Sequence, residues 1–310
     1  DISSYSSKQA YKKNQKKKKR TGLKVFLSFI CVILVLVGGV MIYASTVLLG
    51  DLKTTTITKD KTELGISEET KSEAGITNIA LFGVDARDYD GGTFAGRSDA
   101  IMVMSIDNVH HKVKLTSIMR DVRVYMGDGS PYDSGYDKLN HAYMYGGPEQ
   151  AIRTINQNFG LDIQDYVTVN FASMAKIVDA FGGVNIDLTE EEVEQVNINM
   201  RDLAATSPDS MAGDVSTYAP LSAGEGVLLN GDEAVAYGRI RAIDNDNGRV
   251  ERQQEVLSAL LSKASSISKL EYPSIIQQLA PLCETSLTFD KMIGLAQIAL
   301  TGFDIERLSI

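Results

Sequence analysis

Cysteine is nearly absent: the 310-residue chain holds two, Cys31 and Cys283, too few for a small scaffold stapled by disulfides. Also missing are an HExxH pair, a P-loop, a GxGxxG turn after a strand, a cysteine nucleophile and a Ser, His, Asp ordering. Most ordinary enzyme classes therefore lack support. No repeat of fixed period is present. Positive charge is scarce beyond residue 24. The first 24 residues hold nine Lys or Arg against Asp1, a balance of +8, and the net charge of −9 leaves −17 for the rest. So acidic a body excludes nucleic acid as its partner. The remaining composition, 44% hydrophobic and 23% charged, is that of ordinary globular material with room for one large domain or two small ones.

What is present begins with the longest apolar run. Val25 to Ala44 is twenty residues without a charge, and at about 1.5 Å per residue such a helix spans a hydrocarbon core of roughly 30 Å. The basic run Lys12, Lys13, Lys16 to Arg20 and Lys24 abuts its N-terminal side, and positive charge stays cytoplasmic. This predicts a basic cytoplasmic tail over 1–24, one transmembrane helix over 25–45, and an extracellular remainder. A cleaved signal peptide is the rival reading, but Tyr43-Ala44-Ser45-Thr46 fits its small-residue cleavage pattern poorly. The chain begins at Asp1, so native residues are expected before it. Cys31, in the span, cannot then meet Cys283, and an outward domain without disulfides suits a Gram-positive-type envelope.

Residues 46–75, rich in Thr, Lys, Glu and Ser, read as a solvated stalk, with folding from Ile76 to the end of the chain. Strands are predicted at Asn78 to Val84, Ala100 to Ile106, Val113 to Ile118, Tyr166 to Asn170 and Val184 to Leu188. Helices are predicted at Pro148 to Phe159, Ala172 to Phe181, Asp232 to Arg239, Arg249 to Leu270, Tyr272 to Cys283 and Phe289 to Leu300. Asn197 to Ser222 reads as a long polar loop. The mixture predicts an α/β (α+β) sandwich, a central mixed sheet flanked by helices.

Four clusters could carry chemistry. Gly83-Val84-Asp85-Ala86-Arg87 ends one strand and Arg97-Ser98-Asp99 opens the next, so Asp85 and Asp99 could converge on a hard cation, or form no more than an Asp-rich turn. Arg120-Asp121 falls on the same rim and could simply pair with itself. Lys138-Leu139-Asn140-His141 precedes a helix; Lys138 could neutralise a phosphate and His141 could shuttle protons, although a lone histidine is more often a structural partner. Densest is Arg239, Arg241, Arg249 and Arg252, four arginines in fourteen residues with no lysine among them. Guanidinium forks bind phosphate oxygens bidentately; ion pairing with Asp244, Asp246 and Glu251 is the competing use.

In this order the blocks GVDAR, RSDAIMVMSID, SIMRDVRV, KLNHAYMYGG, NFGLDIQDYVTVNFASMAKIVDAFGGVNIDL, LNGDEAVAYGRIR and GRVERQQEVL resemble the LytR-CpsA-Psr family from about Asn78 to Leu257. The resemblance implies a hydrophobic cleft for a polyprenyl chain, with the lipid's phosphates at an arginine-lined mouth and Mg²⁺, or Mn²⁺, beside them. It implies phosphoryl transfer of a glycopolymer, such as wall teichoic acid or capsule, from an undecaprenyl-pyrophosphate carrier in the membrane lipid to a peptidoglycan acceptor. Asp85 and Asp99 then match the metal carboxylates, and either could assist deprotonation of the acceptor. Arg120, Arg239, Arg241 and Arg249 match the pyrophosphate grip, with Arg87, Arg97, Lys138, Asn140, Arg252 and Gln253 behind them. Asp85, Asp99, Arg120, Arg239 and Arg241 would be the catalytic set. Met119 stands where the family often has proline, which frees a backbone dihedral and restores an N–H. The alternatives are a polyprenyl-phosphate-binding envelope regulator and a lipid pyrophosphatase without ligase activity.

Overall fold

Period-two alternation sets the centre of the molecule. In β2 (Ile76–Val84), Ile79 and Leu81 pack with Ile106, Val113 and Leu115, whereas Ala80, Phe82 and Val84 pack with Ile101 and Val103 on the other face. A strand buried on both faces needs cover on both, and helices supply it. The computed structural model describes residues 53–70, 72–84, 94, 96–132, 134–206, 220–244, 246–266, 275, 278–288, 291–292, 295 and 304–310. The expected tail and apolar span, with Asp85 and Arg87, lie outside the described residues. Among those described, no helix is long and apolar enough to cross a membrane.

The described sheet has seven strands: β1 (Lys53–Thr54), β2, β3 (Ser98–Asp107), β4 (Lys112–Ser117), β7 (Asp165–Asn170), β10 (Glu284–Thr285) and β11 (Asp304–Ser309). Their order is β1-β10-β7-β2-β3-β4-β11. It is a mixed sheet, with β2 parallel to β7 and antiparallel to β3, and β4 antiparallel to β3 and parallel to β11. Two short pairs stand apart, β5 (Arg123–Tyr125) with β6 (Tyr136–Lys138) and β8 (Val184–Leu188) with β9 (Gly224–Leu229).

Helix α1 (Leu139–Phe159) covers the Phe82 face, where Tyr143 meets the Phe82 ring at 5.1 Å. It kinks at Gly146 and Gly147, the latter at φ 65, so only the half after Pro148 reads as a helix in sequence. Helices α2 (Phe171–Ala180), α4 (Gly231–Gly238) and α5 (Asp246–Ser266) form a second core with β8, β9 and α3 (Glu190–Thr206). Asn170 caps α2 by accepting from the Ser173 N–H at 2.7 Å, and Asn230 with Glu233 forms a capping box on α4.

The structure departs from the sequence reading in three places. Residues 53–70 form no stalk: Ile57, Leu64 and Ile66 enter the core, Asn156 Nδ2 donates to Leu64 O at 2.9 Å, and Lys59 pairs with the buried Asp165 at 2.7 Å. A few apolar side chains suffice because each fills the core while its polar neighbours stay wet. Residues 197–206 are the end of α3 rather than loop, held by Val193, Val196, Met200 and Leu203 at helical spacing. Within 272–283 the described stretch 278–283 is not one continuous α-helix: a 3₁₀ turn at Ala280–Leu282 leads to Cys283 and then strand β10, which sits between β1 and β7. The helix expected over 289–300 is described only at three residues.

Candidate active site

The parallel strands β2, β4 and β7 all end at one rim, where antiparallel β3 begins. That topology brings Asp99, Arg120 with Asp121, and Phe171 to one place although up to 72 residues separate them in sequence. The end of β6 adds Lys138 and the start of α1 adds Asn140 and His141; the end of α4 adds Gly238 and the residues just after it Arg239 and Arg241; the first turns of α5 add Arg249 and Gln253. Together with Arg97 these line one cleft of about 720 Å³. Six cations and two carboxylates face it, a lining balance of +4 on an acidic body.

The cleft's charges are wired in sequence. Arg120 Nη1 donates to Asp99 Oδ1 at 2.7 Å and Nε donates to Asp121 Oδ2 at 3.2 Å, while Lys138 Nζ donates to Asp121 Oδ1 at 2.8 Å. The Lys138 hydrogen bond, with Arg120 beside it, holds the Asp121 carboxyl below the usual range despite burial. Arg249 is 3% exposed, whereas Arg97, Arg239 and Arg241 are exposed, so the cations run from the floor of the cleft to its mouth. Arg239 lies over the Phe171 ring at 5.1 Å. Asn140 is 5% exposed and its Oδ1 takes no donor among the described residues, a buried amide on the cleft wall with acceptor capacity to spare.

Beside the polar cleft lies an apolar cavity of about 220 Å³ between the sheet and helices α2, α4 and α5. Leu81, Met102, Val167, Met174, Val235, Leu257 and Leu260 are among its walls, and Phe171, Gly238 and Gln253 line both spaces. Cys283 is part of the apolar wall; burial pushes its thiol up to about 11, which keeps it protonated and inert at neutral pH. A charged cleft that shares lining residues with an apolar cavity has the polarity that suits an amphiphile, with an anion at one end and a hydrocarbon at the other.

Of the residues expected from sequence, the cleft gathers Asp99, Arg97, Arg120, Lys138, Asn140, Arg239, Arg241, Arg249 and Gln253. Arg252 is the departure. It is 6% exposed and is held by Glu192 at 3.0 Å and Asp244 at 2.6 Å, outside the cleft lining. The competing use of the cluster, ion pairing, takes Arg252. Met119 also has a structural use: its N–H, which proline would lack, donates to Ile310 O at 3.1 Å and ties the Arg120 turn to the end of β11.

The LytR_cpsA_psr family model matches residues 40–310. The chain belongs to the LytR-CpsA-Psr family. It is 30% identical, over 76% of its length and 72% of the relative's, to polyisoprenyl-teichoic acid–peptidoglycan teichoic acid transferase TagU of Enterococcus faecalis (strain ATCC 700802 / V583). Identity to the corresponding TagT of Bacillus subtilis (strain 168) is 26%, over 97% of this chain and 92% of that one. The fold is similar to that of YwtF (TagT) with bound octaprenyl pyrophosphate lipid, at a TM-score of 0.58 and 22% identity, covering 83% of this chain and 86% of that one. A LytR-CpsA-Psr fold is thus a mixed sheet flanked by helices, as the alternation predicts.

Of the two carboxylates expected to hold a metal, Asp99 is the one among the described residues, and its Oδ1 accepts from Arg120. Asp99, 21% exposed, offers a hard carboxylate on the cleft wall; among the described residues no three His, Cys, Asp or Glu side chains gather, and Mg²⁺ usually takes one or two carboxylates and completes its shell with water and substrate phosphate.

Proposed function

We propose that the chain is a membrane-anchored phosphotransferase that moves a glycopolymer, wall teichoic acid, capsule or a related polysaccharide, from an undecaprenyl-pyrophosphate carrier to a peptidoglycan sugar hydroxyl. The span over 25–45 would anchor it with the N-terminus cytoplasmic and the catalytic domain outside. The observation that carries this reading is the junction of the six-cation cleft with the apolar cavity through Phe171, Gly238 and Gln253, a shape and polarity that suit a polyprenyl pyrophosphate. The names of the relatives, transferases of polyisoprenyl-carried teichoic acid to peptidoglycan, point the same way.

In this reading Arg239 and Arg241 at the mouth grip the pyrophosphate oxygens, Arg120 and Lys138 hold it from the opposite wall, and Arg249 with Gln253 meets it at the floor. Arg120 is itself fixed by Asp99 and Asp121, so its charge is oriented before substrate arrives. Phosphoryl transfer asks little covalent chemistry of the protein; charge neutralisation and alignment of the incoming hydroxyl supply the catalysis. Mg²⁺, or Mn²⁺, held by Asp99 together with Asp85, would neutralise phosphoryl charge and that of the departing lipid phosphate.

The test is transfer from a synthetic lipid-pyrophosphate donor to peptidoglycan oligomers by the full chain in detergent, with and without Mg²⁺. We expect polymer-linked peptidoglycan from the wild type and a loss of about 10- to 100-fold in Arg241→Ala, the scale of a charge-assisted hydrogen bond of about 1.5–3 kcal/mol. Free polymer phosphate with no linked product would make the protein a pyrophosphatase, and tight donor binding without either product would make it an envelope lipid sensor.

A further inference from the structure

Transfer to a sugar hydroxyl requires something to take that hydroxyl's proton. Among the described cleft residues the side chains able to accept one are Asp99, Asp121 and His141. Asp99 is engaged by Arg120, and both oxygens of Asp121 are engaged, one by Arg120 and the other by Lys138. These two carboxylates hold the cations that hold the phosphate. His141 is placed differently.

Its Nδ1 lies 2.9 Å from Asp137 Oδ2, one helical turn away across the start of α1. That carboxylate also accepts the Tyr145 hydroxyl at 2.7 Å and the Lys138 backbone N–H at 2.7 Å. Asp137 is 9% and His141 19% exposed in their side chains, and the Tyr145 ring meets the imidazole edge-on at 5.8 Å. A carboxylate opposite Nδ1 fixes the proton there, which leaves Nε2 as the ring's lone-pair atom on a residue that walls the cleft. The hydrogen bonds from Tyr145 and His141 outweigh burial and keep Asp137 below the usual carboxylate range, so it stays charged and steadies an imidazolium; the same bond pushes the Tyr145 phenol up to about 12. Also lining the cleft with His141 are Lys138, Arg97, Arg239 and Arg241.

We propose that His141, oriented by Asp137 and Tyr145, is the catalytic base that activates the acceptor sugar hydroxyl. This rests on the transferase reading above. In the step, the hydroxyl proton passes to His141 Nε2 as the sugar oxygen forms a bond to the polymer-bearing phosphorus. The bond from that phosphorus to the lipid phosphate breaks, and its electron pair leaves on the lipid phosphate oxygen among the arginines. The imidazolium then returns its proton to water. Asp137 and Tyr145 are positioning residues.

The experiment is the rate of polymer transfer between pH 5 and 9 by the full chain in detergent, with undecaprenyl-pyrophosphate affinity measured separately by titration. We expect His141→Gln to bind the lipid as the wild type does and to lose roughly 10²- to 10⁴-fold in kcat. It should also lose the rise in rate that an imidazole base imposes on the acid side. Asp137→Asn should lose less and shift that rise, and added imidazole should restore part of the rate to His141→Ala, which a merely structural role would not allow. Wild-type rate and an unaltered profile in His141→Gln would overturn the assignment while leaving the transferase intact. Absence of any phosphoryl transfer by the wild type would overturn the transferase reading and this proposal with it.

Discussion

Two arginines of one cluster have opposite duties, and substitution separates them. Arg241 is exposed at the cleft mouth, and Arg252 is buried between Glu192 and Asp244 with its guanidinium 5.9 Å from the Tyr237 ring. Arg252→Ala leaves two carboxylates without their cation, one of them 14% exposed, and should cost about 3 kcal/mol in thermal or urea unfolding while transfer per folded molecule stays near wild type. Arg241→Ala should do the reverse: full stability and lost transfer. The sequence marked both arginines and could not divide them. Arg249 and Gln253 lie about 40° apart around α5 and share the cleft side, while Arg252 is rotated about 60° from Arg249 the other way. Its fate is decided by Glu192, sixty residues earlier on α3, which no spacing rule connects to it.

Elements position the site through close contacts that individual residues permit. A Cβ on Gly231 would come within 2.0 Å of Ala175 O, a backbone atom of α2 that cannot step aside. Gly231→Ala should therefore push α4 from α2, destabilise by roughly 1–3 kcal/mol, and weaken lipid pyrophosphate binding because Arg239 and Gly238 ride on the displaced helix end. A nearby carboxyl behaves differently. Burial, aided by Asp179 and Asp232, holds Glu233 above the usual carboxylate range despite the Asn230 N–H that it accepts. A raised carboxyl favours folding while protonated, and that contribution is lost as pH rises through its folded value. Glu233→Gln keeps an acceptor for the cap, so it should raise Tm at pH 7, and the gain should vanish below about pH 4. Elements with strict alternation or a plain cap were legible in the sequence: β2, β3, β4, β7, α2 and α4 lie within two residues of expectation. What was hidden depends on distant partners. Residues 53–70 look solvated until Leu64 finds Asn156, and β11 is visible only once β4 offers it an edge.

At the scale of the molecule, the site joins two forces that respond to different variables. The six cations of the cleft attract an anion that the acidic body as a whole repels, an attraction weakened as salt shortens the screening length from about 10 Å at 0.1 M to about 3 Å at 1 M. The apolar cavity instead rewards hydrocarbon at about 0.8 kcal/mol per buried CH₂, and salt does not weaken it. Binding of polyprenyl pyrophosphates of increasing chain length should therefore tighten with length at every salt concentration, while inorganic pyrophosphate binding should fall several-fold between 0.1 and 1 M NaCl. Val235→Phe, which adds bulk to the cavity wall on α4, should remove the length dependence and weaken long-chain lipids by about tenfold or more. It should leave inorganic pyrophosphate unchanged, since Val235 does not line the charged cleft. Titration calorimetry of the two ligands against wild type and variant separates the contributions. Equal weakening of both ligands by Val235→Phe would mean that the cavity supports the cleft's shape and does not take the chain, and the amphiphile reading of the junction would then fail.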